Sequence, residues 1–115
     1  MARTTLTKTA APGGYSSTGA VVAMTAADIT NKNQFVATGG DLVIAQNSGA
    51  SPYTVTITSV ADPYGRTKDV TAFSLNAGEI AVFGPFPALG WQQTDGKIYL
   101  EANNAAVKFG VVALP

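Results

Sequence analysis

Seven carboxylates, Asp28, Asp41, Asp62, Asp69, Glu79, Asp95 and Glu101, are the side chains best suited to acid–base work here, and nearly all fall at turns or strand ends. Glycoside hydrolysis needs two of them about 5–10 Å apart across a cleft, one with a raised pKa. No spacing nominates such a pair. Glu79 and Glu101 could be neighbours in a sheet, but solvated turn carboxylates account for the set more simply. The chain contains neither His nor Cys, which removes the usual general base near neutral pH, the commonest metal ligand, the thiolate nucleophile and any disulfide. A Ser, Thr or Lys nucleophile would need an activating neighbour that the sequence does not show. Asp62, Asp69 and the carbonyls between them could supply the oxygens calcium prefers, yet Arg66 and Lys68 in the same loop oppose a cation. Gly13-Gly14 and Gly39-Gly40 precede no helix and no Lys-Ser or Lys-Thr pair, so neither is a phosphate loop. The expectation is a protein that is not an enzyme and takes no metal and no cofactor.

Binding chemistry is almost as sparse. Tyr64 with Arg66 and Lys68 is the one aromatic and basic cluster of the kind that stacks on single-stranded nucleic acid, and it falls at a hairpin tip. Trp91 and Tyr99 could stack on a sugar if exposed, although a lone Trp beside a hairpin is more often core. Charged residues make up 12% of the chain, against about 25% in a typical soluble domain, and seven basic residues balance seven acidic ones. Such a surface neither steers nucleic acid nor keeps copies of the protein apart. It suits a subunit covered by neighbours, or simply a Thr-rich β surface. No apolar run approaches the roughly 20 residues that span a bilayer, and the segment 1–9 has no hydrophobic stretch behind its charges. Neither a membrane nor a secretory signal is expected.

The elements that position these residues read as strands. With 115 residues and 46% apolar side chains, the chain can bury one core without staples. The pattern centres on Asp41 to Ser59: an unbroken apolar run Leu42-Val43-Ile44-Ala45, a turn-rich Asn47 to Pro52, then Tyr53, Val55 and Ile57 alternating with Thr54, Thr56 and Thr58. This predicts a hairpin. Around it, short strands are expected at Ala20–Met24, Gln34–Ala37, Asp69–Leu75 with Phe73 and Leu75 inward, Glu79–Phe83, and Ala106–Leu114 with Val107, Phe109 and Val111 on one face. Asp95-Gly96 marks a second hairpin between 91–94 and 97–101, the strongest such signal in the chain. Thr25 to Asn33 alone leans helical, with Thr25 as N-cap, and a single turn serves as well. Pro85 and Pro87 should end the strand before them, which leaves Phe86, Leu89 and Trp91 in a loop. Eight to nine short strands at this spacing predict an all-β, antiparallel sandwich of jelly-roll-like type over residues 15–115, preceded by an extended N-terminal arm over 1–14.

Several stretches carry a resemblance: Thr5-Leu6-Thr7-Lys8-Thr9, Asn31-Lys32-Asn33-Gln34-Phe35, Val60-Ala61-Asp62-Pro63-Tyr64-Gly65-Arg66 and Val82-Phe83-Gly84-Pro85-Phe86-Pro87. In these the chain resembles the small virion proteins of tailed bacteriophages, in particular head-associated chains that coat or cement the capsid. The resemblance implies a decoration or cement subunit, made in the host cytoplasm and seated on the outer surface of the capsid. Its implied partners are the major capsid protein and copies of itself, a trimer being favoured, with no nucleic acid and no membrane. The residues that would make the contacts are Thr5, Leu6 and Thr7 of the arm, by strand addition, and Phe86, Leu89 and Trp91 as an apolar anchor. A neck or tail subunit and a carbohydrate-binding sandwich are the alternatives.

Overall fold

The computed structural model describes residues 3–13, 19–61, 63–67 and 69–114. Among them the chain forms ten strands: β1 (Thr4–Thr5), β2 (Lys8–Ala10), β3 (Thr25–Ala26), β4 (Asn33–Val36), β5 (Asp41–Asn47), β6 (Tyr53–Thr58), β7 (Val70–Leu75), β8 (Ile80–Phe86), β9 (Lys97–Ala102) and β10 (Val107–Ala113). The first sheet runs β1-β4-β9-β6-β7 and the second β2-β10-β5-β8, with β3 also paired to β10. Taken from β3 onward, the strands fall as β3-β10-β5-β8 in one layer and β4-β9-β6-β7 in the other, every pair antiparallel. That order is a jelly roll, two interleaved Greek keys closed face to face. The strand count exceeds eight to nine because the N-terminal segment adds two short parallel strands, β1 on β4 and β2 on β10.

The jelly roll corrects the expected central hairpin. β5 and β6 lie in opposite sheets, so residues 48–52 cross between layers instead of reversing within one. Asn47 sits at this crossing, fully buried, with Nδ2 donating to Ser51 O (2.7 Å) and Leu75 O (3.0 Å) while Oδ1 accepts from Gly49 N (2.9 Å). A buried amide so satisfied fixes the loop at little cost. The Asp95-Gly96 turn forms, closed by Gly96 N–H to Gln93 O (2.9 Å), but residues 91–94 are not a strand. Instead Gln92 N–H bonds Ala88 O (2.9 Å) in a single helical turn. At 25–33 the turn is capped by Asp28, whose Oδ1 accepts from Thr30 and Asn31 N–H, while Thr25 belongs to β3. Ala20–Met24 is not a strand either; Val22 and Met24 lie on the second sheet at Gly110, where a Cβ would come within 2.6 Å of Val22 Cγ1.

Both sheets turn one face inward. Val55 and Ile57 of β6 and Ile98 and Leu100 of β9 meet Val43 and Ala45 of β5 and Val107, Phe109 and Val111 of β10, all fully buried in one cluster with Phe35. Leu75 joins them, whereas Phe73 is 45% exposed and meets Phe83 in a T-shaped contact, ring centroids 5.2 Å apart. The strand expected to stop before Pro85 runs on to Phe86, since an edge strand tolerates proline. Phe83 and Phe86 both point inward because β8 advances three residues while β5 advances two, between the pairs Val43↔Phe83 and Asp41↔Phe86. That bulge needs Gly84. Its φ is +102°, and a Cβ there would lie 2.8 Å from Asp41 O.

The N-terminal segment is stitched to both layers. Thr4 and Leu6 N–H bond Lys32 and Gln34 O (2.9 and 2.8 Å) in the first sheet, and Ala11 N–H bonds Ala113 O (2.8 Å) in the second. Between them Leu6 enters the core, 4% exposed. Lys8 Nζ reaches Val36 O (2.9 Å) and Asp41 Oδ1 (3.2 Å), so one ammonium spans the two sheets and pairs a fully buried carboxylate.

Two substitutions test this packing. Leu6→Ala should lower unfolding free energy by about 2–4 kcal/mol in denaturant titrations, whereas exposed Thr7→Ala should change it by under about 0.5 kcal/mol. Gly84→Ala should be worse tolerated than Gly39→Ala, because both have positive φ but only Gly84 would also strike backbone; equal losses would remove the close approach from the explanation.

Candidate interaction surfaces

The two outer faces differ in chemistry. On the first sheet Thr54, Thr56 and Thr58 alternate away from the core beside a line of charged and aromatic side chains. Arg3 lies over the Tyr99 ring, 4.2 Å from its centroid, and Tyr99 Oη donates to Asp95 Oδ2 (2.7 Å). Lys32 and Glu101 pair at 3.2 Å beside a shallow dent of about 130 Å³ bordered by Thr54, Thr56 and Asn103. These are partnered, solvated groups of little net energy.

The second sheet presents a largely apolar outer face, broken by Gln46 beside Ile80 and by Lys108 beyond it. Strand pairing sets Ile44 of β5 between Val82 of β8 and Gly110 of β10, and Leu42 beside Val112. Among the described residues, Val22 and Met24 cover this face at Gly110. At the other end Ile80 and Val82 are 62% and 61% exposed on β8, the edge strand of that sheet. The sequence marks Leu42–Ala45 as an unbroken apolar run without assigning its outer face, and Ile80 and Val82 only as part of a strand. The signal was present: Leu42–Ala45 and Ile80–Phe83 are both apolar on alternate faces, and a two-layer fold hides only one.

At one end of the sandwich a cleft of about 440 Å³ is bordered by Ser59, Val60, Arg66, Leu89, Gly90 and Trp91. Trp91 packs against Phe86 with centroids 4.7 Å apart and is half-buried, so part of its ring faces the core cluster while the residue lines the cleft. Val60 N–H to Gly90 O (2.7 Å) ties the two walls together. Arg66 also lies 5.1 Å from the Tyr64 ring centroid, and Tyr64 is exposed.

The six expected contact residues therefore separate. Leu6 and Phe86 are buried in the domain's own core, Thr5, Thr7 and Leu89 are exposed, and Trp91 is half-buried beside the cleft. The arm trio and the Phe86 loop belong to different elements, β1–β2 and the end of β8. Asp62 and Lys68 of the 62–69 loop lie outside the described residues, as do Met1, Ala2 and residues 14–18. Asp69 accepts instead from Ser59 N–H (2.7 Å) and Ser59 Oγ (2.6 Å). Glu79 and Glu101 stand in different settings: Glu79 Oε1 accepts from Asn76 N–H (2.8 Å), while Glu101 pairs with Lys32. Among the described residues no three His, Cys, Asp or Glu side chains come together as metal ligands would.

Comparison with known proteins found no matching family model, no matching curated protein and no matching solved structure.

Hydrogen bonds set the titration behaviour. The Asn31 backbone N–H, followed by the Thr4 hydroxyl, holds Asp28 below the usual carboxylate range; the Ser59 hydroxyl and N–H do so for Asp69, and the Tyr99 hydroxyl for Asp95. Asp95 in turn raises Tyr99. A lowered carboxylate pKa gives stability that is present above the unfolded value, about 3.9, and lost as pH falls through the folded one. The raised Tyr99 gives stability present below about pH 10 and lost above it. With no His or Cys, thermal stability should be flat from about pH 5 to 9 and fall outside it. Asp95→Asn should make the acid limb shallower and return Tyr99 toward its ordinary pKa in an ultraviolet titration; an unchanged Tyr99 would break the assignment.

Proposed function

We propose that this chain is a non-enzymatic structural subunit of a tailed-phage virion, a decoration or cement protein that seats on the major capsid protein, stabilises the head and sits beside copies of itself. The observation that carries the reading is the second sheet: an outer face apolar through Leu42, Ile44 and Val112 that ends in an exposed Ile80 and Val82, on a chain with balanced charge. Contiguous apolar surface of this kind is characteristic of a face covered in an assembly. The resemblance of the Thr5–Thr9, Asn31–Phe35, Val60–Arg66 and Val82–Pro87 stretches to head-associated phage proteins supplies the kind of assembly. The jelly roll agrees with it as analogy only, because viral capsid and lectin domains both use that architecture.

One observation favours a second reading. Trp91 borders a cleft of about 440 Å³, within the range of small-ligand sites, and an indole there could stack on a sugar ring. A neck or tail subunit would use the same apolar sheet at another place on the particle.

Purified protein mixed with empty heads should co-sediment to a fixed occupancy and raise the temperature at which the heads rupture. Deleting the N-terminal segment is a poor probe, since it removes Leu6 from the core. Thr7→Lys, and separately Leu89→Ser, change exposed positions and should reduce occupancy several-fold while leaving the melting temperature within about 2 °C. No occupancy by the unaltered protein would contradict the virion reading. A saturable glycan affinity lost in Trp91→Ala, with the fold retained, would favour the lectin-like one.

A further inference from the structure

The edges of the two sheets are not guarded alike. β7, at the edge of the first sheet, is interrupted by a bulge where Ala72 takes φ +48° and its N–H is taken by Thr56 Oγ1 (3.1 Å). β8 carries Pro85 near one end, but from Ile80 to Phe83 it pairs with β5 without a register shift. Asn47 N–H donates to Glu79 O (3.0 Å), and Gly110 and Ile44 pair on the other side of β5. The alternation of an antiparallel ladder therefore turns the backbone groups of Ala81 and Phe83 toward β5 and those of Ile80 and Val82 outward. Among the described residues no strand pairs with that outer edge.

Edge strands are ordinarily blunted by charge, proline or a bulge. Here the one charged side chain beside the stretch, Glu79, folds back onto Asn76 N–H (2.8 Å). Exposed Ile80 and Val82 flank the outer side of the edge, and half-exposed Phe73 stands against Phe83 on the inner side.

We propose that β8 is a self-association edge, at which two copies of this chain pair β8 to β8, antiparallel, about a two-fold axis at Ala81. Ile80 of one copy then faces Val82 of the other, and each such pair exchanges both of its backbone hydrogen bonds. Ala81 faces Ala81 as a non-hydrogen-bonded pair. The register sets β-branched side chains opposite each other on the outer face, a favourable cross-strand arrangement. A second copy is the fitting occupant because the edge is self-complementary and holds no outward charge to select a charged partner. The formal net charge of the chain is zero, so copies do not repel. The second sheets of the two copies join into one continuous sheet, an isologous contact that differs from the trimer expected from the sequence. The contact does not depend on where the assembly sits, so it stands or falls apart from the virion reading.

Because the chain has no cysteine, disulfide trapping is clean. Non-hydrogen-bonded antiparallel pairs hold their Cα atoms about 4.5 Å apart, within disulfide reach. Oxidised Ala81→Cys should run as a covalent dimer, while Thr94→Cys, in an exposed turn, should stay monomeric under the same oxidant. In light scattering the unaltered protein should form a dimer or a larger even-numbered assembly at high micromolar concentration. Val82→Lys, at an exposed position, should raise the dissociation constant tenfold or more with an unchanged circular dichroism spectrum. A monomer or a trimer at that concentration overturns the proposal. So does a dimer that survives Val82→Lys, or Ala81→Cys that cross-links no better than Thr94→Cys.

Discussion

In a two-layer sandwich each strand can bury only one of its faces, and the arrangement of this protein follows from how its strands meet that limit. β6 and β9 meet it by alternation, with Val55, Ile57, Ile98 and Leu100 inward and threonine, Tyr99 or charged residues outward. β5 and β8 do not. Their second faces carry Leu42, Ile44, Ile80 and Val82 beside Gln46, and among the described residues Val22 and Met24 give cover near Gly110. Apolar surface left in water costs about 25 cal/mol per Å² relative to burial. The chain therefore has a wet side and a side whose free energy falls when something covers it.

The devices that hold the layers in register are mainly polar or conformational. Asn47 secures the β5–β6 crossing from a fully buried position, and Lys8 pairs with the inaccessible Asp41 while also bonding the β4 carbonyl of Val36. The Gly84 bulge lets Phe83 and Phe86 fill the same side of β8, and Phe86 then supports Trp91 at the cleft. In this way one backbone position links the core to the end of the sandwich. The N-terminal segment completes the enclosure, because Leu6 closes the gap between the sheets that β1 and β2 extend.

Much of this was legible in the residues. Period-two patterning marked β6 and β10 and their inward faces, the turn chemistry of Asp95-Gly96 marked a real turn, and short strands at regular spacing gave the all-β jelly-roll-like class. What local pattern could not carry was the layer to which each strand belongs. The loop after β5 has hairpin composition, yet Asn47 bonds to Leu75 of β7, a contact set by tertiary packing. Likewise Leu6 looked like part of an arm and Phe86 like part of a loop, because burial against elements distant in sequence leaves no mark in either segment. The apolar runs at Leu42–Ala45 and Ile80–Phe83 did carry the information that both faces need cover. Only the topology, which makes β8 an edge, turns that into an open site.

The central proposal is that the β8 edge of the second sheet is where two copies of this neutral sandwich meet. Residue-resolved amide hydrogen exchange across a dilution series tests it most directly, since it reads the backbone groups in question without any substitution. The account predicts that the Ile80 and Val82 amides are protected when the protein is concentrated and exchange faster on dilution, while the amides of β4 and β9 do not change. Rapid, concentration-independent exchange at Ile80 and Val82 would contradict it.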